Sequence, residues 1–237
     1  MDISVDSINL RCHFCDNYSE RKFVFTPWRY DFRERQLLEQ ELPTDGVFID
    51  IGANIGLYTL TANKVLSNRG RILAFEPNPV TLKRLDFNIR ANRKSMEAQP
   101  AIALLNLGIA DCDSSFELWP DKSNLGAYSI RAGGRARNSD HESSAPSTMI
   151  RCRPLLDILE EQKVERIDVL KIDIEGAEDI ALGPYLEQAP DVLLANTIII
   201  ENSEAFWNCD LFSMMKKRGY RLRFRNKLNS VFSLSAG

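Results

Sequence analysis

The sequence predicts an α/β fold with a doubly wound, mostly parallel sheet of seven strands. The apolar, β-branched run from Val47 to Ile51 has the pattern of a fully buried parallel strand. A turn, Gly52 to Gly56, follows it, and Leu57 and Leu60 then recur at helical spacing. Further apolar runs alternate with helical patterns toward the carboxyl terminus, as in doubly wound sheets with an antiparallel edge.

The segment before this strand predicts a hairpin and a helix. Apolar residues alternate with polar ones from Ile8 to Phe14, and a second run extends from Lys22 to Thr26. This pattern favours a hairpin with one buried face. Asp31 to Glu34 resembles a capping box, and the helix that it begins ends at Pro43. We therefore expect an appendage near the cofactor edge of the sheet.

The rest of the chain supplies the other elements in order. Asn78 and Pro79 predict the N-cap and first turn of a helix that follows a strand from Arg71 to Phe75. The later predicted elements are a strand Ala101–Leu107, a helix around Leu155–Leu159, strands Ile167–Ile172 and Thr197–Ile200, a helix with Phe206, Leu211, Phe212 and Met215, and a closing hairpin of Tyr220–Phe224 and Phe232–Leu234.

These elements form one domain over residues 1–237. Residues 1–43 are the appendage, 44–119 the cofactor-binding half and 149–237 the second half of the sheet. Residues 120–148 between them are rich in glycine and serine, and such long stretches are usually lids or disordered. We expect a lid or a disordered insert there.

Composition excludes several classes of protein. The net charge of −3 argues against nucleic acid as a partner. No apolar run approaches the roughly 20 residues of a membrane span, and the amino terminus has no secretory signal. Five cysteines without framework spacing favour free thiols in a reducing compartment. A cytoplasmic location is therefore expected.

The glycine turn and the acids at the ends of two strands indicate the cofactor. The spacing Gly52-x-x-x-Gly56 differs from the G-x-G-x-x-G of dinucleotide folds, and no P-loop is present. Asp50 would repel a pyrophosphate but suits a cationic ligand such as S-adenosylmethionine. Glu76, at the tip of the next strand, is placed to accept hydrogen bonds from two ribose hydroxyls. Taken singly, each acid could instead be a helix cap.

Three motifs resemble the FkbM family of methyltransferases. They are D-I-G-A-N-I-G at Asp50 to Gly56, F-E-P at Phe75 to Pro77 and L-K-I-D-I-E-G-A-E at Leu170 to Glu178. The resemblance spans about Leu37 to Asn202. It implies a class I S-adenosylmethionine fold and O-methylation in natural-product or glycan pathways. One departure is Leu155-Leu156-Asp157, where the family usually has Thr-Leu-Asp.

The motifs and their flanks give the expected site. Asp173 is the predicted general base, because alcohol acceptors must lose a proton during methyl transfer. An equally open alternative is that Asp173 orients Asn54 or the ammonium of the cofactor. The predicted cofactor-binding residues are Asp50, Gly52, Ala53, Asn54, Gly56, Tyr58, Thr59, Glu76, Pro77, Asn78, Gly108 and Ile109, and the predicted substrate-binding residues are Glu175, Glu178 and Glu201.

Metal binding and other functions are weaker hypotheses. Asp173 with Glu201 and Asn202 resembles a magnesium-binding trio of O-methyltransferases, but its spacing is loose and we predict no metal. The predicted function is S-adenosylmethionine-dependent O-methylation of a small-molecule or glycan acceptor. The alternatives are an NAD-dependent oxidoreductase, disfavoured by Asp50 and the missing third glycine, and a cofactor-binding module without catalysis.

Overall fold

The computed structural model describes residues 1–13, 18–93, 99–118 and 148–235. The strands are β1 Asp2–Val5, β2 Ile8–Arg11, β3 Val47–Ile51, β4 Arg71–Phe75, β5 Ala101–Leu105, β6 Gly108–Ile109, β7 Ser114–Leu118, β8 Thr148–Arg153, β9 Val169–Ile172, β10 Thr197–Glu201, β11 Tyr220–Arg225 and β12 Asn229–Leu234. The helices are α1 Tyr18–Phe25, α2 Phe32–Glu41, α3 Leu57–Val65, α4 Pro79–Ala91, α5 Leu155–Glu161, α6 Glu178–Gln188 and α7 Leu211–Lys217. The predicted lid, apart from Thr148, lies outside the described residues.

The main sheet has seven strands in the order β11-β12-β10-β9-β3-β4-β5. The five strands from β10 to β5 run parallel, and β12 and β11 complete an antiparallel edge. This arrangement confirms the predicted fold class. Since β3, β4 and β9 are neighbours in the sheet, the loops that follow their carboxyl ends meet at one edge.

Two apolar clusters cover the two faces of this sheet. Alternate residues of a strand point to opposite faces, so Ile49 and Ile51 join one cluster while Phe48 joins the other. In β4, Leu73 and Ile72 divide in the same way. Burial on both faces explains why these strands are continuous apolar runs. Among the described residues, no helix is long and apolar enough to cross a membrane.

Three strands form a second, smaller sheet in the order β6-β8-β7. Gly108 and Ile109 pair with Cys152 and Arg153 of β8, which pairs on its other side with β7. The predicted third strand extends to Leu107, and the predicted second half of the main sheet begins at residue 149. The structure differs in both respects, because β5 ends at Leu105 and β8 pairs with β6 and β7 in the small sheet.

The amino-terminal hairpin also differs from the prediction. It is formed by β1 and β2 around Asp6 and Ser7, whose φ angles of 50° and 65° suit a two-residue hairpin turn. The predicted second strand, Lys22 to Thr26, lies instead in and just after helix α1. A three-residue apolar run fits either period, and here the helix buries Phe23 against the second cluster.

The last helix begins later than predicted. Phe206 belongs to a separate 3-10 turn, Glu204–Phe206, and α7 starts at Leu211. Asp210 determines this start, because its side chain accepts a hydrogen bond from the backbone N–H of Ser213 at 3.0 Å. The predicted caps of α4 are confirmed, since Asn78 accepts from the N–H of Val80 at 2.9 Å.

Candidate active site

A cavity opens at the carboxyl edge of the main sheet. Its walls come from the loops after β3, β4 and β9, from the small sheet and from the segment around α1. The predicted site residues on these walls are Gly52, Ala53, Asn54, Tyr58, Glu76, Pro77, Asn78, Gly108, Ile109, Asp173 and Glu175. The predicted residues that do not line it are Asp50, Gly56, Thr59, Glu178 and Glu201.

The glycine turn is shaped by its own packing. Gly52 has a φ of 76°, and a Cβ atom there would lie 2.0 Å from the carbonyl oxygen of Asp173. Gly56 has a φ of 98°, and its Cβ would lie 2.4 Å from Leu85 Cδ1. Both positions therefore require glycine even without a ligand. The packing of the turn explains these glycines in addition to the expected close approach of a cofactor.

Replacing Gly52 by alanine should strongly destabilise the fold. The new methyl group would strike backbone at a φ that L-residues avoid, and we expect a loss of at least about 2 kcal/mol of unfolding free energy. Gly183→Ala is the matched control, because nothing lies within 4 Å of its Cβ position in α6. Because Pro184 follows this position and disfavours a helical residue with a Cβ atom, that variant should change the unfolding free energy by less than about 1 kcal/mol. Urea unfolding of both measures the difference, and equal stabilities would show that the turn relaxes freely.

Glu76 joins the two loops that follow β3 and β4. Its Oε2 atom accepts from the N–H of Asn54 at 3.0 Å, and Oε1 accepts from the N–H of Asn78 at 2.9 Å. Burial raises the pKa of Glu76 to about 7, although these two N–H groups favour the ionised form. Each carboxylate oxygen keeps a lone pair, so Glu76 can still accept two hydroxyl donors from the cavity.

Lys171 is a buried cation that the sequence analysis did not assign to the site. It pairs with Asp50 across β9 and β3, and its ammonium donates to the carbonyl oxygen of Gly52 at 3.0 Å. Burial alone would lower the pKa of Lys171, but the carboxylates of Asp173 and Asp50 outweigh it and the pKa is raised. The signal was present in the sequence, because lysine inside an apolar strand needs buried partners.

Asp50 lies beneath the glycine turn instead of on the cavity wall. It is 0% exposed, and its Oδ2 atom accepts from the Thr59 hydroxyl at 2.7 Å. Its Oδ1 atom lies 3.9 Å from the ammonium of Lys171. Burial raises the pKa of Asp50, while Lys171 opposes that rise. The side chains of Asp50 and Thr59 therefore bind each other inside the structure. Asp50 influences the cavity through its charge, which lies next to the ammonium of the wall residue Lys171.

Asp173 is the carboxylate that the end of β9 presents to the cavity. Its backbone N–H donates to the carbonyl oxygen of Ile51 at 3.1 Å, which fixes the residue beside the glycine turn. Its Oδ2 atom is 3.7 Å from the ammonium of Lys171, and the side chain is 34% exposed. A partly exposed carboxylate next to a buried cation can accept a hydrogen bond from a ligand at little desolvation cost.

The other predicted acceptor acids have different surroundings. Glu175 lines the cavity at a φ of 56°. Glu178 caps its own loop, since Oε1 accepts from the N–H of Ile174 at 3.0 Å and Oε2 accepts from the indole of Trp207 at 2.8 Å. Glu201 accepts from the Ser203 hydroxyl at 2.9 Å, and burial raises its pKa to about 9. Only Glu175 of the three reaches the wall.

The trio considered for magnesium is engaged in other contacts. The amide of Asn202 donates to the carbonyl oxygen of Asn226 at 2.9 Å and accepts from the Ser230 hydroxyl at 2.6 Å. Within the described ranges, no group of three or more histidine, cysteine, aspartate or glutamate residues is placed to hold a metal ion.

The amino-terminal segment, which the sequence predicts near the cofactor edge, supplies a wall of the cavity through residues that no motif indicated. Glu20, Phe23, Tyr30 and Asp31 all line the cavity. Asp31 was predicted to cap α2, but its side chain makes no capping hydrogen bond. Only the three-dimensional fold reveals this role, since these residues lie far from the motifs in sequence.

The charges of the cavity fit S-adenosylmethionine. Glu76 keeps lone pairs that hydroxyl donors can use, and Lys171 is the only lysine or arginine on the described walls. Asp173, Asp31 and Glu175 add negative charge there. A cofactor with an ammonium, a sulfonium and no phosphate matches this set better than a dinucleotide does.

Comparisons with known proteins give the family. The sequence model of the Methyltransferase FkbM domain matches residues 50–222. Methyltransferase sdnD of Sordaria araneosa is 29% identical over 66% of this chain and 64% of its own length. Hexuronic acid methyltransferase AglP of Haloferax volcanii is 30% identical over 64% of this chain and 56% of its own. The chain therefore spans less than two thirds of the length of either relative.

A solved structure shares the family name. The methyltransferase FkbM from Methylobacillus flagellatus is 17% identical, with a TM-score of 0.49, and the comparison covers 92% of this chain and 55% of that one. The family match extends from Asp50 to Leu222 and includes all three motifs and most of the strands that carry the cavity. The chain belongs to the FkbM family of methyltransferases, and its cofactor is S-adenosylmethionine.

Proposed function

We propose that this protein transfers the methyl group of S-adenosylmethionine to a hydroxyl group of a sugar or natural-product small molecule. The observation that supports this most is the position of Asp173, a cavity carboxylate next to the glycine turn and 3.7 Å from Lys171. The cofactor supplies a methyl group already activated by its sulfonium. The protein must align an acceptor and remove a proton from it.

In this proposal Asp173 accepts the proton of the acceptor hydroxyl. Lys171 holds the carboxylate from one side, and the cavity leaves the other side accessible. Glu76 accepts the ribose hydroxyls, and the two N–H groups that it already binds keep it oriented. Alignment of the reacting groups supplies much of the acceleration, on the order of 7–11 kcal/mol at best.

The name of one relative supports the acceptor class. AglP is named for a hexuronic acid, which is a sugar derivative. Membership in a methyltransferase family speaks against the oxidoreductase hypothesis. A cofactor-binding module without catalysis remains the alternative, and a transfer assay decides it. Incubation with methyl-tritiated cofactor and panels of sugars and polyols should give a labelled ether, whereas label on nitrogen or carbon alone would contradict O-methylation.

Cofactor choice can be tested before any acceptor is known. S-adenosylhomocysteine should raise the melting temperature, because a ligand at a hundredfold excess over its dissociation constant stabilises the folded state by about 2.7 kcal/mol. NAD at the same concentration should have no effect. Stabilisation by NAD and none by the nucleoside would contradict the assignment. Differential scanning fluorimetry makes both measurements.

Cofactor affinity should depend on pH through Glu76. Its pKa in the free protein is raised to about 7, and hydrogen bonds from ribose hydroxyls favour the ionised form. Protonation below that pH competes with binding, so affinity for S-adenosylhomocysteine should fall about tenfold from about pH 8 to about pH 6. The control is Glu76→Gln, whose affinity should be about 1–3 kcal/mol weaker than that of the wild type at pH 8 and should not change between the two pH values. Calorimetry that shows the same slope in the variant would assign the titration to another group.

A further inference from the structure

The wall of the cavity around Asp31 lies outside the region that defines the family. The family match begins at Asp50, whereas Phe23, Tyr30 and Asp31 come from the preceding segment. The shared cofactor site therefore faces a wall that belongs to this chain's own amino-terminal segment. We expect residues on such a wall to determine properties that are specific to one protein, such as its choice of acceptor.

Asp31 has a conformation that its own helix does not explain. It sits at the N-cap of α2 with a φ of 48°, and its carboxylate makes no cap. The carboxylate instead accepts hydrogen bonds from the Tyr58 hydroxyl at 3.2 Å and from the amide of Asn229 at 3.3 Å. Two separate parts of the fold, α3 and β12, thus hold this carboxylate at the cavity, at the cost of a strained backbone.

The partners of Asp31 connect it with Asp173. The ammonium of Lys171 lies 5.2 Å from the centre of the Tyr58 ring and 3.7 Å from Asp173. Burial raises the pKa of Asp31 to about 6, and the charges of Glu34 and Asp173 add to the rise. Asp31, Tyr58, Lys171 and Asp173, which all line the cavity, are therefore connected by consecutive contacts. Glu76 belongs to a different loop, after β4.

We propose that Asp31 and Asp173 form the acceptor-binding part of the cavity, and that this part takes an uncharged or cationic polyol instead of an anionic acceptor. The proposal rests on the function proposed above. Carboxylates accept hydrogen bonds from hydroxyl and ammonium groups but repel acids. Glu175 adds a third carboxylate, and Lys171 is already shared between Asp50 and Asp173. In this respect the chain would differ from the relative named for a hexuronic acid, whose acceptor carries a carboxylate.

Cysteine labelling tests the location of Asp31 without a known acceptor. The variants Asp31→Cys and Pro77→Cys are each treated with a small methanethiosulfonate, with and without S-adenosylhomocysteine. Peptide mass spectrometry separates the label at the new cysteine from labels on the exposed native thiols Cys112 and Cys209. The nucleoside should protect Pro77→Cys by about tenfold or more and Asp31→Cys by no more than about twofold. Equal protection of both would place Asp31 against the cofactor and overturn the proposal.

The charge of the reagent tests the acceptor class. At Asp31→Cys, a trimethylammonium reagent should react at least about tenfold faster than a sulfonate reagent, after normalisation to their rates with free mercaptoethanol. Equal rates, or faster reaction of the sulfonate, would overturn the preference against anions. Tyr30→Cys, on the same wall, replaces Asp31→Cys if that variant does not fold.

The two proposals fail in different ways. If S-adenosylhomocysteine does not protect Pro77→Cys and does not bind the wild-type protein, the proposed cofactor site is wrong. The reagent ratio at Asp31→Cys is measured without the nucleoside, and it still decides the charge preference of this part of the cavity. If the nucleoside binds but the sulfonate reagent reacts faster than the trimethylammonium reagent at Asp31→Cys, only the inference about the acceptor is wrong.

Discussion

Asp173→Asn should lower the rate of methyl transfer by about 10²–10⁴-fold while affinity for S-adenosylhomocysteine stays nearly unchanged. The substitution keeps the size of the side chain and removes its charge and basicity. The carboxylate of Asp173 is partly exposed and 3.7 Å from Lys171. The substitution should therefore remove the proton acceptor and change the packing of β9 very little. Single-turnover transfer and calorimetry on the same preparation separate the two quantities.

Other outcomes for this variant have distinct meanings. If affinity falls and the rate at saturation survives, Asp173 holds the ammonium of the cofactor and is not the base. Wild-type rate and affinity would remove it from the site, and Glu175 would be tested next. The control is Asp86→Asn, whose exposed pair with Arg90 at 2.8 Å lies on α4, and it should change neither quantity. Chelation by EDTA should leave the rate unchanged, whereas a loss that magnesium restores would contradict the prediction of no metal.

Lys171→Met should destabilise the protein by about 3–5 kcal/mol, because it leaves the buried carboxylate of Asp50 without its cation. Asp50 is 0% exposed, and among the described residues the ammonium of Lys171, 3.9 Å away, is the one cation near its Oδ1 atom. The carbonyl oxygen of Gly52 would also lose its donor. Urea unfolding monitored by circular dichroism measures the loss.

Two further variants make the Lys171 result interpretable. Lys64→Met removes an exposed ammonium from its 2.7 Å pair with Glu39, and it should cost less than about 1 kcal/mol. Adding Asp50→Asn to Lys171→Met should recover part of the loss, since a neutral amide can still accept from Thr59. Equal effects of the two lysine variants would show that the carboxylates around Lys171 are neutral or solvated.

The sequence predicted the centre of the fold well, because local signals there agree. The run from Val47 to Ile51 is apolar throughout, and its glycine turn leads to a helix with buried residues at the expected spacing. Where local signals were ambiguous, the prediction failed. Lys22 to Thr26 fits a strand as well as a helix, and the small sheet depends on pairing between Gly108 and Cys152, distant in sequence.

The candidate site was predictable only where strand ends determine it. Glu76 and Asp173 follow apolar runs, and parallel strands bring such positions to one edge. Asp50 is also near a strand end, but its side chain points into the structure, toward Thr59. Asp31 resembled an ordinary helix cap, and only contacts with Tyr58 and Asn229 direct it to the cavity. Such contacts are properties of the folded chain and have no local pattern.

A crystal structure of the complex with S-adenosylhomocysteine tests the central claim most directly. Both ribose hydroxyls should lie about 2.5–3.0 Å from the carboxylate oxygens of Glu76, as hydroxyl donors do. The sulfur should face the part of the cavity that Asp173 lines, with the acceptor side open toward Asp31. A nucleoside bound with its ribose away from Glu76, or with its sulfur turned away from Asp173, would contradict the assignment of this cavity as the site of methyl transfer.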